Sequence, residues 1–178
     1  DHDNIDGALE MARIAPFPVI VGEEIGTADG EIIGLFLHEA IPSGMSPQET
    51  VEAIRTQRGI IYLPHPLDQL RRGSLTRRAL REIVHQVDAV EIFNARVTFP
   101  GDNAKAAHLA KAHGLPGGGG SDAHSPFEIG RSYVDMPPFF SRDSFLEQLR
   151  RGRVWGVPSP PWVHLTSAYA KQIKKRAM

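Results

Sequence analysis

The 178-residue sequence contains no cysteine. Disulfide bonds, thiolate metal sites and cysteine nucleophiles are therefore excluded, and any bound metal must be held by histidine and carboxylate side chains. The sequence also lacks an apolar run approaching the roughly 18 residues that a membrane helix requires. It has no signal-like segment at its start, so a cytoplasmic location and no membrane partner are the default expectation. The net charge of −1 gives no overall attraction for nucleic acid.

Three common catalytic motifs are missing as well. The patterns G-x-x-x-x-G-K-[ST], G-x-S-x-G and H-E-x-x-H do not occur, so phosphate-cradling loops, serine hydrolases and helix-borne zinc proteases have no support. What remains is a mixed set of histidines and carboxylates. Without cysteine, such a set suits Mn²⁺, Zn²⁺ or Fe, and two or more of these ions suit the hydrolysis of a phosphate ester.

Strand and helix patterns alternate at least four times along the chain, which is typical of a parallel α/β sheet or barrel. The apolar runs at 17–21 and 32–37 predict buried strands, and Asp29-Gly30 predicts a turn between them. Helices are expected at about 4–13, 46–58, 74–85, 103–113 and within 141–152. No linker or repeat interrupts the pattern. We therefore expect one domain over 1–178, with the barrel motifs in about 1–152 and a terminal strand and basic helix in 153–178.

Polar residues follow or end several of the predicted strands, where side chains converge on one edge of the sheet. His65 lies between two prolines, which predicts an extended, restrained backbone suited to a metal ligand. A turn histidine bonded to the backbone is the alternative. Asp122 and His124 have D-x-H spacing, so both would face one side of an extended segment, although Asp122 alone is equally typical of a cap or turn.

Two carboxylates and a glycine run complete the candidates. Adjacent strand residues point to opposite faces, so we expect Glu24 to face the pocket and Glu23 the solvent, with Glu23 as the alternative ligand. Glu91 lies inside an apolar strand, where a carboxylate is costly unless it is paired or bound to metal. The glycines at 117–120 predict either a slack loop or a backbone that must approach other groups closely.

Five segments resemble, in order, the motifs of the PHP (polymerase and histidinol phosphatase) superfamily. They are DHDNIDGALE, VIVGEEIGTADGEIIGLFL, YLPHPLD, VDAVEIFNAR and GGSDAHSPFEIGRSY, and they span residues 1 to about 152. The resemblance is greatest to the stand-alone metal-dependent phosphoesterases. It implies a distorted (β/α)7 TIM-like barrel with up to three divalent ions (Mn, Zn or Fe) at its C-terminal rim, and a metal-activated water that cleaves phosphate esters.

The resemblance also implies roles for individual residues. Asn94 and Arg96 would lie beside the pocket as catalytic residues, with Arg96 contacting a substrate phosphate bidentately. The implied metal ligands are His2, Glu24 as a bridge between two ions, His65, Asp122, His124 and, on a strand whose contribution varies within the family, Glu91. The expected substrate is a phosphate mono- or diester, with nucleotides, oligonucleotide ends and small phosphate esters as candidates.

One departure from the family pattern affects these expectations. Members begin with an H-x-H strand and an S-D-G turn before the D-H-D motif, whereas this sequence starts inside D-H-D. A β–α–β unit suggests that about 35 residues are absent, through truncation or naturally, so we expect this chain to bind fewer ions and to be nearly inactive. A non-catalytic PHP module with a structural or partner-binding role is the alternative function. An amidohydrolase-like enzyme would be expected to need a strand-end lysine, which the site strands do not offer.

Overall fold

The computed structural model describes residues 2–71, 73–160 and 162–163. None of the described helices is long and apolar enough to cross a membrane. The basic helix expected near the C-terminus lies outside the described residues. The helices and strands are α1 (Asp6–Ile14), β1 (Gly22–Thr27), β2 (Gly30–Leu35), α2 (Pro47–Thr56), β3 (Ile60–Leu63), α3 (Arg77–Ile83), β4 (Ala89–Asn94), α4 (Pro100–Ala112), β5 (Gly117–Gly120), β6 (Ser132–Asp135), α5 (Arg142–Arg151) and β7 (Arg153–Gly156).

The strands form a mixed sheet, with helices on both faces. The order is β1-β2-β3-β4-β5, and β6 pairs with β7 in a separate two-stranded sheet. Strands β3, β4 and β5 are parallel, whereas the β1–β2 hairpin and the β2–β3 pair are antiparallel. The predicted α/β class is confirmed. Within the described part of the chain the sheet is open, and it is not wholly parallel because the short hairpin turn at 28–29 reverses the chain without a helix.

Strand β3 shows how the core is built. All four of its residues are buried, because its apolar side chains alternate between two covered faces. Ile61 and Leu63 pack in a cluster with side chains of α2 and α3. Ile60 and Tyr62 pack on the other face, in a cluster with side chains of α5. Burial of each such side chain stabilises the fold by roughly 1.5–3 kcal/mol, so the sheet holds the groups at its edge in fixed positions.

Two expected elements differ from the structure. The apolar run at 17–21 is not a strand, and Phe17 is exposed. Proline at 16 and 18 removes the amide donors that a paired strand would use. Helix α4 begins at Pro100 instead of 103. Asn103 does not cap it, because its amide oxygen accepts from the Asn94 backbone N–H at 3.0 Å and its Nδ2 donates to the Asn94 carbonyl at 3.2 Å.

The expected start is confirmed for α2 but not for α3. Ser46, Pro47 and Glu49 form the predicted capping box of α2. Helix α3 starts later than expected, at Arg77, because Thr76 and not Ser74 accepts the capping bond, from the Ala79 N–H at 3.1 Å.

The four glycines at 117–120 are strand β5 itself and not a slack loop. They pair in parallel with β4, with one irregularity opposite Glu91 and Phe93. A Cβ at Gly118 would overlap the Tyr62 ring, and a Cβ at Gly120 would overlap the Glu91 carboxylate. Real Cβ atoms do not approach other groups so closely, so the glycines are required by crowding. Of the two sequence expectations, close backbone approach is confirmed.

Candidate metal centre

Four side chains from separate segments converge at the edge of the sheet where β1 and β3 end and β2 begins. His65 Nε2 lies 3.0 Å from Glu24 Oε1 and 3.6 Å from Glu31 Oε2. His2 Nδ1 lies 3.2 Å from Glu24 Oε2 and 3.8 Å from Glu31 Oε1. Donor atoms of His2, Glu24 and Glu31 all lie within 4.8 Å of one another. The two carboxylates therefore stand between two imidazoles, in an arrangement that could hold a metal ion.

The N-terminal segment is fixed along β1 by backbone and side-chain hydrogen bonds. His2 forms an isolated parallel bridge with Glu24, and the Asp3 N–H donates to the Glu24 carbonyl at 3.0 Å. The Asp3 carboxylate accepts from the Gly26 N–H at 2.8 Å. These contacts place the His2 imidazole over the β1–β2 hairpin, beside Glu24.

Sequence reasoning missed Glu31, although the hairpin contains the signal. Glu24 pairs with Ile33, and Gly26 pairs with Glu31. Because residues two apart share a face, Glu31 lies on the same face as Glu24, diagonally across the hairpin. The Glu31 carboxylate lies against Gly73, where a Cβ would overlap it. Combining the Asp29-Gly30 turn with this alternation would have predicted the position.

Glu23 and Glu24 point to opposite faces, as expected, but Glu23 does not face solvent. It is 1% exposed, and its Oε2 accepts from the Ile41 N–H at 2.9 Å. Burial raises the pKa of Glu23, only partly offset by this hydrogen bond. The segment that follows β2 covers this face of the hairpin, so the expectation of a solvated Glu23 is wrong. The assignment of Glu24 as the inward residue of the pair matches the geometry.

The charges of the two central carboxylates are unevenly compensated. Burial raises the pKa of Glu24, but the hydrogen bond from His65 and the positive charges around it outweigh burial and bring that pKa below its usual value. Burial raises the pKa of Glu31, and the charge of Glu24 raises it further. The pair thus carries more negative charge than its neighbours neutralise, which is the electrostatic condition that favours a bound cation.

A second group of donors lies next to this cluster, beyond β4 and β5. The Asn94 Nδ2 donates to Glu91 Oε2 at 3.0 Å and to Asp122 Oδ2 at 3.1 Å. Glu91 also accepts from the His65 N–H at 2.8 Å, and burial raises its pKa to about 7. His124 Nδ1 lies 3.6 Å from Asp122 Oδ1, and the His124 ring centroid is 6.3 Å from that of His2. Glu91, which accepts from the His65 N–H, therefore joins the two groups.

The backbone is strained at this edge. Asp3, His65 and Asp122 have φ values of 51°, 27° and 49°. These angles lie in the left-handed region, which residues other than glycine rarely adopt. The expectations of an extended backbone at His65 and around Asp122 are therefore wrong. Positive φ costs of the order of 1–3 kcal/mol per residue and clusters at functional sites. The tertiary contacts that orient these side chains outweigh the local preference of a residue before proline.

The arginine that reaches the cluster is Arg71. Its guanidinium pairs with the Asp122 carboxylate. Burial lowers the pKa of Arg71, but Asp122, Glu24 and Glu31 together raise it above its ordinary value. Nothing in the sequence pattern around Arg71 marked it, because it lies in an irregular segment six residues after His65.

Arg96, expected beside the pocket, lies in the interior. Its Nη1 donates to Glu128 Oε1 at 2.9 Å and its Nη2 to the Val163 carbonyl at 3.3 Å. The Arg96 N–H donates to the Asn94 side-chain oxygen at 2.8 Å. The guanidinium is committed to a buried carboxylate, so the structure does not bring it to the metal-ligand candidates.

The residues present fit a divalent metal. The donors are imidazole nitrogens and carboxylate oxygens, which suit Mn²⁺, Zn²⁺ and Fe. The buried Nδ1 of His65 has no hydrogen-bond partner within the described residues. Burial raises the pKa of Glu31 and the charge of Glu24 raises it further, so a cation between these two carboxylates would be favourable.

The chain is similar to known proteins in sequence and in fold. Residues 100–154 match the family described as PHP-associated. The protein MJ0417 of Methanocaldococcus jannaschii, named as uncharacterized, is 39% identical over 141 aligned positions, and the alignment covers 74% of this chain and 60% of that protein. The chain thus spans less than two thirds of the length of this relative.

Two solved structures share the fold. A two-domain protein from Bacteroides vulgatus, which contains a predicted PHP-like metal-dependent phosphoesterase, superposes with a TM-score of 0.62 at 20% identity, over 86% of this chain and 49% of that one. A proposed metal-dependent phosphoesterase from Bifidobacterium adolescentis superposes with a TM-score of 0.58 at 17% identity, over 86% and 84% of the two chains. At these identities the likeness shows a common fold.

Proposed function

Because this chain is a PHP-domain protein, we propose that it is a metal-dependent phosphoesterase that hydrolyses a phosphate mono- or diester. The observation that supports this most strongly is the cluster of His2, Glu24 and Glu31 donor atoms within 4.8 Å of one another, with His65 Nε2 lying 3.0 Å from Glu24. We also propose that β1 to β5 are part of a distorted (β/α)7 barrel, since the parallel strands β3 to β5 present their C-terminal ends to the same centre.

The donor groups divide into two sets. His2, Glu24, Glu31 and His65 would hold one ion, with Glu24 placed to bridge to a second. Asp122 and His124, with Glu91 behind them, would complete the second site, and up to three ions are expected from the family pattern. When bound, such ions supply Lewis acidity and a water of lowered pKa at neutral pH.

The residues of the chain contribute orientation and charge. Asn94 donates to both Glu91 and Asp122 and so fixes the direction of their free oxygens. Arg71 brings a positive charge next to Asp122, where its planar donors can contact phosphate oxygens. In this proposal Arg71 takes the phosphate-contacting role that the family pattern suggested for Arg96.

Metal binding and hydrolysis should be measured on the same preparation. After removal of metal with EDTA, we expect Mn²⁺ to bind by calorimetry and, most strongly in a chain extended at its N-terminus, to restore cleavage of bis(p-nitrophenyl) phosphate or p-nitrophenyl phosphate. Glu24→Gln and His65→Ala should each reduce Mn²⁺ affinity and activity by about 100-fold or more, since each removes a side chain that would bind the metal directly. The exposed Glu39→Gln and His113→Ala are matched controls and should behave like the unsubstituted protein.

The outcomes separate the candidate functions. Failure to bind any divalent ion, or cleavage that survives Glu24→Gln unchanged, would contradict the proposal. Mn²⁺ binding that depends on Glu24 but is accompanied by no cleavage, in this chain and in one extended at its N-terminus, would instead favour the non-catalytic module.

A further inference from the structure

Two large aromatic side chains are about half exposed to solvent, and one of them lies on the loop that carries Asp122 and His124. Phe127 is 49% exposed and Trp162 is 50% exposed. Their ring centroids lie 5.0 Å apart, with the planes tilted by 31°. This is a stacked pair with free surface, in a protein whose other described aromatic ring contacts include the partly buried Phe36 and Phe139 and the buried Phe145.

The loop that carries Phe127 also carries the metal-ligand candidates Asp122 and His124. The Glu128 carboxylate closes this loop, because its Oε2 accepts from the His124 N–H at 3.1 Å and from the Ser125 hydroxyl at 2.6 Å. Phe127 therefore lies three residues beyond His124, on a segment whose geometry these hydrogen bonds fix.

Arg96 ties the two rings to each other and to the centre. It donates to Glu128, the residue after Phe127, and to the carbonyl of Val163, the residue after Trp162. Its own N–H donates to Asn94, which in turn donates to Asp122. The Arg96 guanidinium thus holds the residues next to both rings, and its backbone N–H connects them to Asn94.

We propose that Phe127 and Trp162 form a stacking surface for a nucleobase, with Arg96 as the positioning residue that holds it. This inference rests on the proposed function, because the metal centre and Arg71 would take the phosphate of the same molecule. A phosphate ester joined to a flat ring is complementary to an anion site beside exposed aromatic rings. Base stacking on such rings is worth roughly 1–3 kcal/mol per base and tolerates any base. The substrate class is then a nucleoside monophosphate or the end of a short single strand.

The chain offers matched controls for both rings. Phe140 is 91% exposed and Trp155 is 53% exposed, and neither is in the loop that carries the ligands. Phe140 precedes α5, and Trp155 pairs with Tyr133 in the two-stranded sheet. Substitutions there remove the same chemical groups without touching the proposed stacking surface.

The first test reads binding without turnover. The sequence has two tryptophans, so Trp155→Phe leaves Trp162 as the fluorescent reporter. In that background we expect adenosine monophosphate to quench the emission, and Phe127→Ala to weaken its affinity about tenfold. Phe140→Ala should leave the affinity unchanged. Absence of quenching, or an equal effect of both substitutions, would overturn the inference.

The second test compares two substrates in the presence of Mn²⁺. Phe127→Ala should lower kcat/KM for adenosine monophosphate about tenfold, through KM, and leave glycerol 3-phosphate unaffected because it has no ring. Arg96→Lys keeps a positive charge near Glu128 but loses the guanidinium that donates to both Glu128 and Val163. It should raise KM for the nucleotide only. A two-nucleotide strand with a terminal phosphate distinguishes a nucleic-acid end from a free nucleotide, since a second stacked base should increase its affinity further.

The two proposals fail separately. Hydrolysis of both esters with equal losses in Phe127→Ala would reject the stacking surface and keep the phosphoesterase. Hydrolysis of neither ester would reject the phosphoesterase, and the fluorescence titration would then decide the stacking surface alone.

Discussion

Two neighbouring groups of buried charges in this protein are balanced in different ways. Arg96 and Glu128 are matched one to one at 2.9 Å, with side chains only 3% and 0% exposed. Glu24 and Glu31 are set side by side between two imidazoles, and the pKa of Glu31 is raised first by burial and then by Glu24. A matched pair is complete within the chain, whereas an unmatched one has a structural reason to bind a cation. The difference separates the group that holds the fold from the group that is placed for chemistry.

The largest expected effect comes from breaking the matched pair. Arg96→Met leaves the Glu128 carboxylate buried without its cation, so we expect the free energy of unfolding to fall by about 3–5 kcal/mol. Chemical denaturation followed by circular dichroism measures this change. The control is Arg55→Met, because the Arg55–Asp88 pair is 37% and 16% exposed and should cost only about 1 kcal/mol. Similar losses in the two variants would remove the distinction.

Glu91, which lies next to the unmatched pair, should make stability depend on pH in metal-free protein. Burial raises the pKa of Glu91 to about 7 from 4.5. The folded chain therefore holds a proton that the unfolded chain has released, and stability present below pH 4.5 is lost as the pH rises through 7. We expect a loss of about 3 kcal/mol across this window in EDTA. Glu91→Gln should flatten the curve, and parallel curves for the two proteins would contradict the assignment.

A smaller effect is expected at Gly120, where strand β5 lies against the Glu91 carboxylate. A methyl group at Gly120 would overlap the Glu91 carboxylate, so Gly120→Ala should cost about 1–3 kcal/mol and weaken Mn²⁺ binding by displacing Glu91 from its hydrogen bonds. Gly101 has open space around its Cβ position and lies in α4, so Gly101→Ala should be neutral or stabilising. Equal destabilisation in both variants would mean that crowding at Gly120 is not the cause.

These glycines illustrate what the sequence could predict. Alternation of strands and helices, the capping box of α2 and the hairpin turn are local patterns, so the α/β class and most elements followed from them. His65, Asp122 and His124 were placed correctly at strand exits, because the chain direction alone decides that position. The glycine run fitted a loop or a crowded strand equally well, and only the side chains of Tyr62 and Glu91, distant in sequence, decide between them.

The parts of the site that escaped prediction depend on tertiary contacts. The left-handed backbone of His65 opposes the local preference of a residue before proline, and it is held by contacts with Glu91 and Glu24. The pairing of Arg96 with Glu128 joins residues 32 positions apart, so neighbouring residues could not indicate it. Glu31 was predictable in principle, since it required only the hairpin register.

The smallest expected effect has the clearest sign. Glu31→Gln removes a charge that burial and Glu24 disfavour, so in EDTA at pH 8 we expect a small gain in stability. The same substitution removes a candidate ligand and should weaken Mn²⁺ binding. Stability and affinity would then change in opposite directions, which a merely structural carboxylate does not produce. Thermal unfolding in EDTA and calorimetric Mn²⁺ titration measure the two effects, with the exposed Glu39→Gln as control. A loss of stability together with unchanged affinity would assign Glu31 to the fold, alongside Glu128, and leave Glu24 and the histidines to hold the metal without it.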